Sequence, residues 1–290
     1  MKITGHTKLT GLLGSPVSHS ISPLMHNEAF QLLGLDYAYL CFDVGEDSLA
    51  DAVHGLRTLG ARGWNCTMPD KQRMCELCDS LSPAAHMIGA VNTVVNENGI
   101  LIGHNTDGVG YMMAVKEAGF DIIGKEMTLL GAGGASTAIA VQAALDGVKS
   151  LNIFNRRGRS WEHAVKLTDT INTNTSCRAS LYDLADAASL EKCLRESAIL
   201  TNGTSVGMAP HESECILSDD SLLRPELVVS DIIYNPRKTR LMQIAESKGC
   251  PAFNGLYMLL FQGAEAFRLW TGKKMPIEEI KHAYFTPSNF

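Results

Sequence analysis

The chain has 290 residues, which is enough for one large domain or two of ordinary size. Its 45% hydrophobic and 19% charged residues are typical of a globular protein and exclude fibrous and disordered classes. A net charge of −6 argues against a nucleic-acid partner, because neutralising phosphates requires clustered positive charge. The N-terminus has no signal-peptide core, and no apolar run approaches the roughly 20 residues of a membrane span, so we expect a cytoplasmic protein without a membrane partner.

The first third of the chain alternates strand-like and helix-like segments. The apolar patterns predict strands at 9–14, 37–44, 63–68 and 90–95, and helices at 22–33 and 49–59. Strands that alternate with helices form parallel βαβ units. We therefore expect an open α/β sheet in this part of the chain.

Cys75 and Cys78 have the spacing of a redox or zinc pair, but no second pair of Cys or His lies nearby to complete a zinc site. The segment has a helical pattern, and free cysteine behaves as a small apolar residue. His19 and His26 lack an acidic companion. We therefore predict structural cysteines, no metal, and a reducing compartment for all eight cysteines.

A second alternation begins near Lys125. It predicts strands at 127–130, 151–155, 198–202 and 227–233, and helices at 136–145, 239–248 and 257–270. No repeat and no low-complexity tract interrupts it. This half of the chain is therefore also predicted to be an α/β domain.

A glycine-rich turn joins the first strand and helix of this second half. Glycine allows the tight turn and the approach of backbone N–H groups to a pyrophosphate at a helix N-terminus. A strand before the turn, a helix after it and a second strand favour a dinucleotide site over an ordinary tight turn, although Ser136 replaces the third glycine. The predicted contacts are Gly131, Ala132, Gly133, Gly134, Ala135 and Ser136.

The residues at the end of the next predicted strand indicate which dinucleotide the site prefers. Dinucleotide sites that prefer NAD place Asp or Glu here, whereas this chain has Asn155 followed by Arg156, Arg157 and Arg159. Guanidinium groups suit a 2′-phosphate, so NADP is favoured over NAD, and NAD use stays open. The alternative is a solvated basic loop.

Polar clusters follow predicted strands of the first half, where open α/β sheets bind ligands. Together with later segments they form a series from Gly14 to Ala264: G-S-P-V-S-H-S-I-S-P, N-C-T-M-P-D-K, G-A-V-N-T, N-T-D-G, G-A-G-G-A, N-R, N-G-T-S-V-G-M and G-L-Y-M-L-L-F-Q-G-A. In its segments and in their order this series resembles the shikimate dehydrogenase family, including its quinate/shikimate branch. The resemblance covers nearly the whole chain.

The resemblance implies a role for each matching residue. Ser20 and Ser22 would bind the substrate carboxylate, and Lys71, paired with Asp107, would be the catalytic acid/base. The residues implied for the ring hydroxyls are Thr67, Asn92, Asp107 and Gln262, with Tyr234 nearby, and those for the cofactor include Asn155, Arg156, Ile232 and Gly255. Gly158, Ser160 and Tyr257 depart from the family pattern and leave cofactor and substrate preference open.

Each of these residues also has a structural alternative. Ser22 could only cap a helix, Lys71 could be a solvated lysine in a first helical turn, Asp107 a turn residue, and Asn92 a hydrogen-bonded strand end. Oxidising an alcohol releases a proton together with the hydride, and a lysine beside a carboxylate is suited to accept it. The sequence leaves open whether Lys71 alone or the Lys71–Asp107 couple does so.

We therefore expect an α/β protein of two lobes with the active site in the cleft between them. Residues 1–107 with 255–290 would form the substrate domain, and 108–254 a Rossmann-like domain for NADP. The expected reaction is the reversible interconversion of 3-dehydroshikimate and shikimate in aromatic amino-acid (chorismate) biosynthesis, by a monomer or homodimer. The alternatives are a quinate/shikimate dehydrogenase that also uses NAD, a folate-type dehydrogenase, which the Ser20/Ser22 cluster disfavours, and a non-catalytic dinucleotide-responsive regulator.

Overall fold

A computed structural model describes residues 2–286, which fall into two compact units. The first unit contains the residues up to Thr106 and those from Gln262 onward, and the second is Asp107–Phe261. The sequence places the divisions after residues 107 and 254, and this domain assignment stays a prediction. Residue 1 and the last four residues of the chain, 287–290, lie outside the described residues.

Each unit contains one six-stranded sheet. The strand orders are β2-β1-β3-β5-β6-β4 in the first unit and β12-β11-β10-β7-β8-β9 in the second. The strands are β1 (Lys8–Gly14), β2 (Tyr37–Asp43), β3 (Gly63–Cys66), β4 (Ser80–Leu81), β5 (Thr93–Glu97), β6 (Ile100–His104), β7 (Glu126–Leu130), β8 (Ser150–Asn155), β9 (Arg178–Asp183), β10 (Ile199–Asn202), β11 (Val228–Asp231) and β12 (Ala252–Asn254).

Eleven α-helices connect and cover the strands within the described residues. They are α1 (Ser22–Leu32), α2 (Glu46–Thr58), α3 (Met74–Leu77), α4 (Pro83–Ile88), α5 (Asp107–Glu117), α6 (Gly134–Asp146), α7 (Trp161–Asn174), α8 (Ala187–Glu196), α9 (Arg240–Ser247), α10 (Leu256–Thr271) and α11 (Ile277–Tyr284). None of the helices in this part of the chain combines the length and apolarity needed to cross a membrane. The predicted strands and helices are confirmed to within a few residues.

The strand directions differ from the prediction in the first unit. Strand β1 pairs in parallel with β2 and β3, but β5 is antiparallel to both β3 and β6, so the expectation of parallel βαβ units throughout is wrong here. Strands β5 and β6 form a hairpin through Asn98 and Gly99, whose φ values are 55° and 93°. Asn-Gly between two apolar runs is a strong hairpin signal, and it was present in the sequence.

The second sheet is entirely parallel, as predicted. Its four central strands, β7, β8, β10 and β11, are buried on both faces, with Leu130, Phe154 and Val229 in one continuous core. Strands β9 and β12, which the periodicity did not reveal, add the two edges. The strand order reverses between β7 and β10, and open α/β sheets bind ligands at the carboxyl ends of the strands at such a point.

A cluster of aromatic side chains packs around His26 in the first unit. The imidazole stacks on Tyr39 with ring centroids 4.5 Å apart and planes at 12°, and it lies 5.2 Å from Trp270. The side chain is fully buried, and neither ring nitrogen has a hydrogen-bond partner among the described residues. Burial lowers the pKa of His26 to about 3.

The outer edge of this sheet is closed by a side chain. Strand β2 is an edge strand, and its Tyr39 N–H donates to Asn27 Oδ1 at 2.8 Å. In return, Asn27 Nδ2 donates to the Tyr39 carbonyl at 2.9 Å. The amide of Asn27 thus satisfies the two backbone groups that a neighbouring strand would otherwise bind.

We predict that His26→Phe reduces the loss of stability in acid. The imidazole is neutral in the folded protein down to a pH of about 3, whereas the unfolded chain takes up the proton near pH 6.5, so folding loses stability as the pH falls between these values. Between pH 7 and pH 4 this group should account for about 3 kcal/mol of the free energy of unfolding. Urea unfolding at both pH values measures the change.

The exposed His54 provides the control, because His54→Phe should leave the pH dependence as it is in the wild type. An equal pH dependence in His26→Phe and the wild type would contradict the prediction.

Candidate active site

The loops that follow β1 and β3 are joined at the carboxyl ends of these strands. The Thr67 N–H donates to the Leu13 carbonyl at 2.9 Å, and the Ser15 N–H donates to the Met68 carbonyl at 3.1 Å. Gly14 has a φ of 153°, and a Cβ there would collide with the Thr67 side chain. The glycine therefore allows the close approach that holds Thr67 beside the loop leading to Ser20.

The two serines predicted to bind a carboxylate are adjacent. The Ser22 N–H donates to Ser20 Oγ at 3.2 Å. Helix α1 begins at Ser22, and the residue before it, Ile21, provides no side-chain cap, so the interpretation of Ser22 as only a helix cap is wrong. Burial raises the pKa of Tyr39 well above its ordinary value, and the nearby Ser22 hydroxyl opposes part of that rise.

Lys71 lies in the turn between β3 and α3 and is partly buried. Its carbonyl accepts hydrogen bonds from the Val91 N–H at 2.8 Å and from Cys75 Sγ at 3.8 Å. Helix α3 starts at Met74, whose N–H donates to the Asp70 carbonyl at 2.9 Å, so Lys71 lies in the turn that leads into the helix. The hydrogen bond to Val91 holds the Lys71 backbone next to the segment that carries Asn92.

Asn92 precedes β5 and is buried in a polar network. Its Oδ1 accepts from the Thr106 N–H at 2.8 Å and from Thr93 Oγ1 at 3.0 Å, and its Nδ2 donates to Thr106 Oγ1 at 3.0 Å. The Asn65 side chain donates to the Asn92 carbonyl at 3.1 Å. The structural alternative for Asn92, a hydrogen-bonded strand end, therefore describes its surroundings and leaves its proposed role in binding untested.

Five predicted residues thus follow the carboxyl ends of β1 and β3 or precede the start of β5: Ser20, Ser22, Thr67, Lys71 and Asn92. Asp107 directly follows Thr106 and is the first residue of α5, in the second unit. Gln262 is half-buried on α10, where the chain returns to the first unit. The pairing of Asp107 and Gln262 with the other five stays a prediction.

The predicted glycine turn lies at the carboxyl end of β7. Gly131 has a φ of 97°, in the left-handed region, and its N–H donates to the Phe154 carbonyl at 2.7 Å. Helix α6 begins at Gly134 after an extended Gly133, and both glycines are exposed with no atom near their missing Cβ positions. The first N–H groups of α6 therefore face open space, which fits a pyrophosphate at a helix N-terminus.

Ser136 occupies the place of the third glycine of the dinucleotide pattern and faces inward. It is fully buried, and its Oγ donates to the Gly203 carbonyl at 2.8 Å. A Cβ on Gly203 would collide with this hydroxyl. The third glycine normally allows close packing between helix and strand, and here Gly203 provides that space from the opposite side. The predicted cofactor contact of Ser136 stays untested, whereas its contact with Gly203 was missed.

The basic loop after β8 contains arginines of two kinds. Arg157 Nε lies 3.1 Å from Asp183 Oδ2, and its guanidinium stacks 3.8 Å from the centre of the Trp161 ring. Arg156 and Arg159 are exposed, and in the part of the chain that the structure describes neither has an ion pair. Arg157 is therefore less suited than its neighbours to a 2′-phosphate.

A pocket of about 420 Å³ opens on the second unit between the loops after β10 and β11. Its walls include Thr204, Met208, Ile232 and Tyr234, and the Tyr234 side chain is 39% exposed. Gly255 packs so closely against the Ile232 carbonyl that any Cβ would collide with it. The predicted residues Ile232, Tyr234 and Gly255 are therefore neighbours at this pocket.

Sequence reasoning missed the polar residues that shape this pocket. Asn202 Nδ2 donates to both carboxylate oxygens of Asp231, at 3.1 and 3.2 Å, and Thr239 Oγ1 donates to Oδ2 at 2.8 Å. Asn202 Oδ1 also accepts from the Thr204 N–H at 3.0 Å. Burial raises the pKa of Asp231, and these hydrogen bonds oppose the rise. The position of Asp231 at the end of a strand was the available signal.

The cysteines form no metal site. Helix α3 ends at Leu77, so Cys78 follows the helix instead of sharing a helical face with Cys75, and that part of the prediction is wrong. All eight cysteines lie in the described part of the chain and are free. No group of three or more His, Cys, Asp or Glu within residues 2–286 could hold a metal ion.

The fold and the two sets of residues define an α/β protein with a dinucleotide turn in one unit and a polar ligand site in the other. The model of the shikimate dehydrogenase substrate binding domain matches residues 12–94, and that of the shikimate 5′-dehydrogenase C-terminal domain matches 255–283. The shikimate dehydrogenase (NADP+) of Listeria innocua is 56% identical over 284 residues, 98% of each chain. The chain belongs to the shikimate dehydrogenase family.

Two further relatives support this conclusion. The shikimate dehydrogenase (NADP+) of Streptococcus uberis is 50% identical over 287 residues, which are 98% of this chain and 97% of that protein. The crystal structure of shikimate 5-dehydrogenase from Listeria monocytogenes, in complex with shikimate and NAD, is 56% identical. It has a TM-score of 0.95 and covers 97% of this chain and 98% of its own. The family and the α/β fold expected from the sequence are therefore confirmed.

We predict that Gly203→Ala lowers the free energy of unfolding by about 1–3 kcal/mol, because the new methyl group collides with Ser136 Oγ. The double variant Ser136→Gly with Gly203→Ala should recover most of this loss, because it removes the colliding hydroxyl. Guanidinium unfolding of the two single variants and the double variant measures the coupling. Additive effects would show that the two residues do not compete for the same space.

Proposed function

We propose that this protein is a shikimate dehydrogenase that catalyses the reversible, NADP-linked interconversion of shikimate and 3-dehydroshikimate, a step of aromatic amino-acid biosynthesis. The proposal is carried by five residues at the carboxyl ends of β1 and β3 and before β5, namely Ser20, Ser22, Thr67, Lys71 and Asn92. Their hydroxyls, amide and amine suit a small substrate with a carboxylate and several hydroxyl groups. The 56% identity to named shikimate dehydrogenases supports the same activity.

Each residue has a distinct role in this proposal. The Ser20 and Ser22 hydroxyls donate to the substrate carboxylate, and Thr67 and Asn92 hold ring hydroxyls. Asp107 and Gln262 complete the set of hydroxyl ligands, with Tyr234 beside them. When shikimate is oxidised, the reacting hydroxyl loses its proton to the Lys71–Asp107 couple. In the reverse direction the couple returns the proton to the oxygen of the carbonyl group.

The second unit provides the cofactor site in this proposal. When bound there, a nicotinamide dinucleotide supplies the hydride acceptor for the alcohol carbon. The N–H groups at the start of α6 bind the pyrophosphate, since Gly133 and Gly134 leave them open. Asn155 and Arg156 contact the adenosine ribose, and the pocket beside Ile232, Tyr234 and Gly255 receives the nicotinamide ring.

Three observations bear on the choice between NADP and NAD. Arg156 and Arg159 are exposed and suited to a 2′-phosphate, which favours NADP. Arg157 is bound to Asp183 and Trp161, which reduces the positive charge available there, and the Listeria monocytogenes relative was crystallised with NAD. We therefore propose NADP as the preferred cofactor and NAD as a weaker one. An enzyme that also accepts quinate is the second candidate.

We expect the purified protein to reduce NADP in the presence of shikimate, followed by absorbance at the wavelength of the reduced cofactor. Lys71→Ala should lower kcat by about 10²–10⁴-fold, the usual contribution of a general acid/base. Lys116→Ala, which removes an exposed lysine on α5, should match the wild type. Comparable rates with quinate or NAD would move the protein to the quinate/shikimate branch. Cofactor binding without turnover of either substrate would contradict the proposal and favour a regulator.

We expect Arg156→Ala and Arg159→Ala each to raise the KM for NADP by roughly tenfold or more, because each removes a charge-assisted hydrogen bond to the 2′-phosphate. The KM for NAD should stay unchanged, since NAD lacks that phosphate. Arg157→Ala is the matched control and should change the KM for NADP less than threefold, because Asp183 already holds its guanidinium. Equal effects at all three positions would refute this division of roles.

We further propose that the enzyme is cytoplasmic and works as a monomer or homodimer. Eight free cysteines, four of them buried, are consistent with a reducing compartment. Sedimentation velocity on the purified protein distinguishes the two states of assembly.

A further inference from the structure

Tyr39 has no role in the chemistry proposed above. Its phenol nevertheless contacts a residue whose side chain leads to a proposed ligand of the substrate. Its side chain is fully buried on β2. The phenol O–H donates to Asn65 Oδ1 at 2.8 Å. The phenol is therefore the first donor of a hydrogen-bond network that leads to Asn92.

The hydrogen bonds of this network lead from Tyr39 to Asn92 and Thr106. From Tyr39, Asn65 Nδ2 donates to Thr93 Oγ1 at 2.9 Å, and Thr93 Oγ1 donates to Asn92 Oδ1 at 3.0 Å. Asn92 Nδ2 then donates to Thr106 Oγ1 at 3.0 Å. Aligned donors polarise one another, so the network should respond as a unit when its first donor is removed.

The phenol and the Asn92 carbonyl together fix which way the Asn65 amide faces. The two ends of an asparagine amide have almost the same shape but opposite hydrogen-bonding character. With Oδ1 held by the phenol, Nδ2 faces Thr93 and the Asn92 carbonyl. A reversed amide would place Oδ1 against the Asn92 carbonyl, oxygen against oxygen, and would leave the Thr93 hydroxyl without its donor.

The Tyr39 ring is itself held in place. His26 stacks on one face with planes at 12°, and Trp270 lies 5.9 Å from the Tyr39 ring centre. The Tyr39 backbone is bound on both its N–H and its carbonyl by Asn27. The phenol oxygen is therefore presented to Asn65 from a rigid support.

We propose that Tyr39 is a positioning residue for the substrate, which it serves by fixing the Asn65 amide and, through Thr93, the amide of Asn92. The inference rests on the proposed function, because Asn92 and Ser22 are ligands of shikimate only in that proposal. Tyr39 itself touches neither the substrate nor the reacting atoms.

Tyr39→Phe tests the role, because it removes the phenol oxygen and keeps the ring that packs on His26. We expect the KM for shikimate to rise about tenfold, the usual effect of one buried hydrogen bond, while kcat and the KM for NADP change less than twofold. Tyr37→Phe is the matched control. Tyr37 is a buried phenol on the same strand whose O–H donates to the Trp270 carbonyl, an acceptor that Arg62 also binds.

Thr93→Val removes the hydroxyl that relays the effect to Asn92 and keeps the shape of the side chain. It should raise the KM for shikimate to a similar extent, and in its background Tyr39→Phe should add less than twofold. Thermal unfolding of every variant identifies loss of the fold. If Tyr39→Phe does not fold, Thr93→Val alone decides, and an unchanged KM overturns the proposal.

The outcomes separate this inference from the proposed function. A wild type that turns over no shikimate with either cofactor refutes both. If the wild type is active but Tyr39→Phe and Tyr37→Phe behave alike, only the positioning role is refuted. The same holds if Tyr39→Phe raises the KM for shikimate and the KM for NADP equally.

Discussion

The hydrogen bonds of the Asn65 side chain join the two strands on which the candidate substrate site depends. Asn65 lies on β3, and it binds Thr93 and the Asn92 carbonyl on the neighbouring antiparallel strand. Because β5 runs opposite to β3, the beginning of β5 lies beside the end of β3. That reversal brings Asn92 to the carboxyl end of β3, which Thr67 and Lys71 follow. A parallel β5 would have placed Asn92 at the far side of the sheet.

The second unit satisfies a different constraint, the close approach of backbone segments. Ser136 and Gly203 share a space that holds one side chain only, and Gly255 packs on the Ile232 carbonyl without room for a Cβ. In both places the residue that must be small lies far along the chain from its partner. Because β7, β10 and β11 are parallel, the glycine turn and the loops after β10 and β11 lie at the same end of the sheet, where this close packing holds them together.

The sequence predicted what depends on local pattern. The alternation of apolar residues identified most strands and helices, and the glycine turn was visible because strand, turn and helix are consecutive. The antiparallel pairing of β5 with β6 could also have been predicted, since Asn98 and Gly99 form a two-residue hairpin turn. The family motifs named the candidate site residues, but not which of their neighbours hold them.

The remaining features depend on contacts between distant segments. Arg157 looked equivalent to Arg156 and Arg159 because its partner Asp183 lies on β9, an edge strand with no clear periodicity. Tyr39 looked like an ordinary apolar strand residue, and only the packing of β2 beside β1 and α1 brings its phenol to Asn65. No local rule relates residues 26 positions apart, so side-chain networks of this kind become visible only in the folded chain.

The bond between Asn27 and Tyr39 has a consequence for assembly. An unpaired edge strand invites another chain to add to the sheet, which leads to strand-exchanged dimers or to aggregates. At Tyr39 the amide of Asn27 already occupies both backbone positions. A second chain could extend the sheet there only by first displacing Asn27, so the side chain protects the very strand that supports the substrate site from being recruited into a larger sheet.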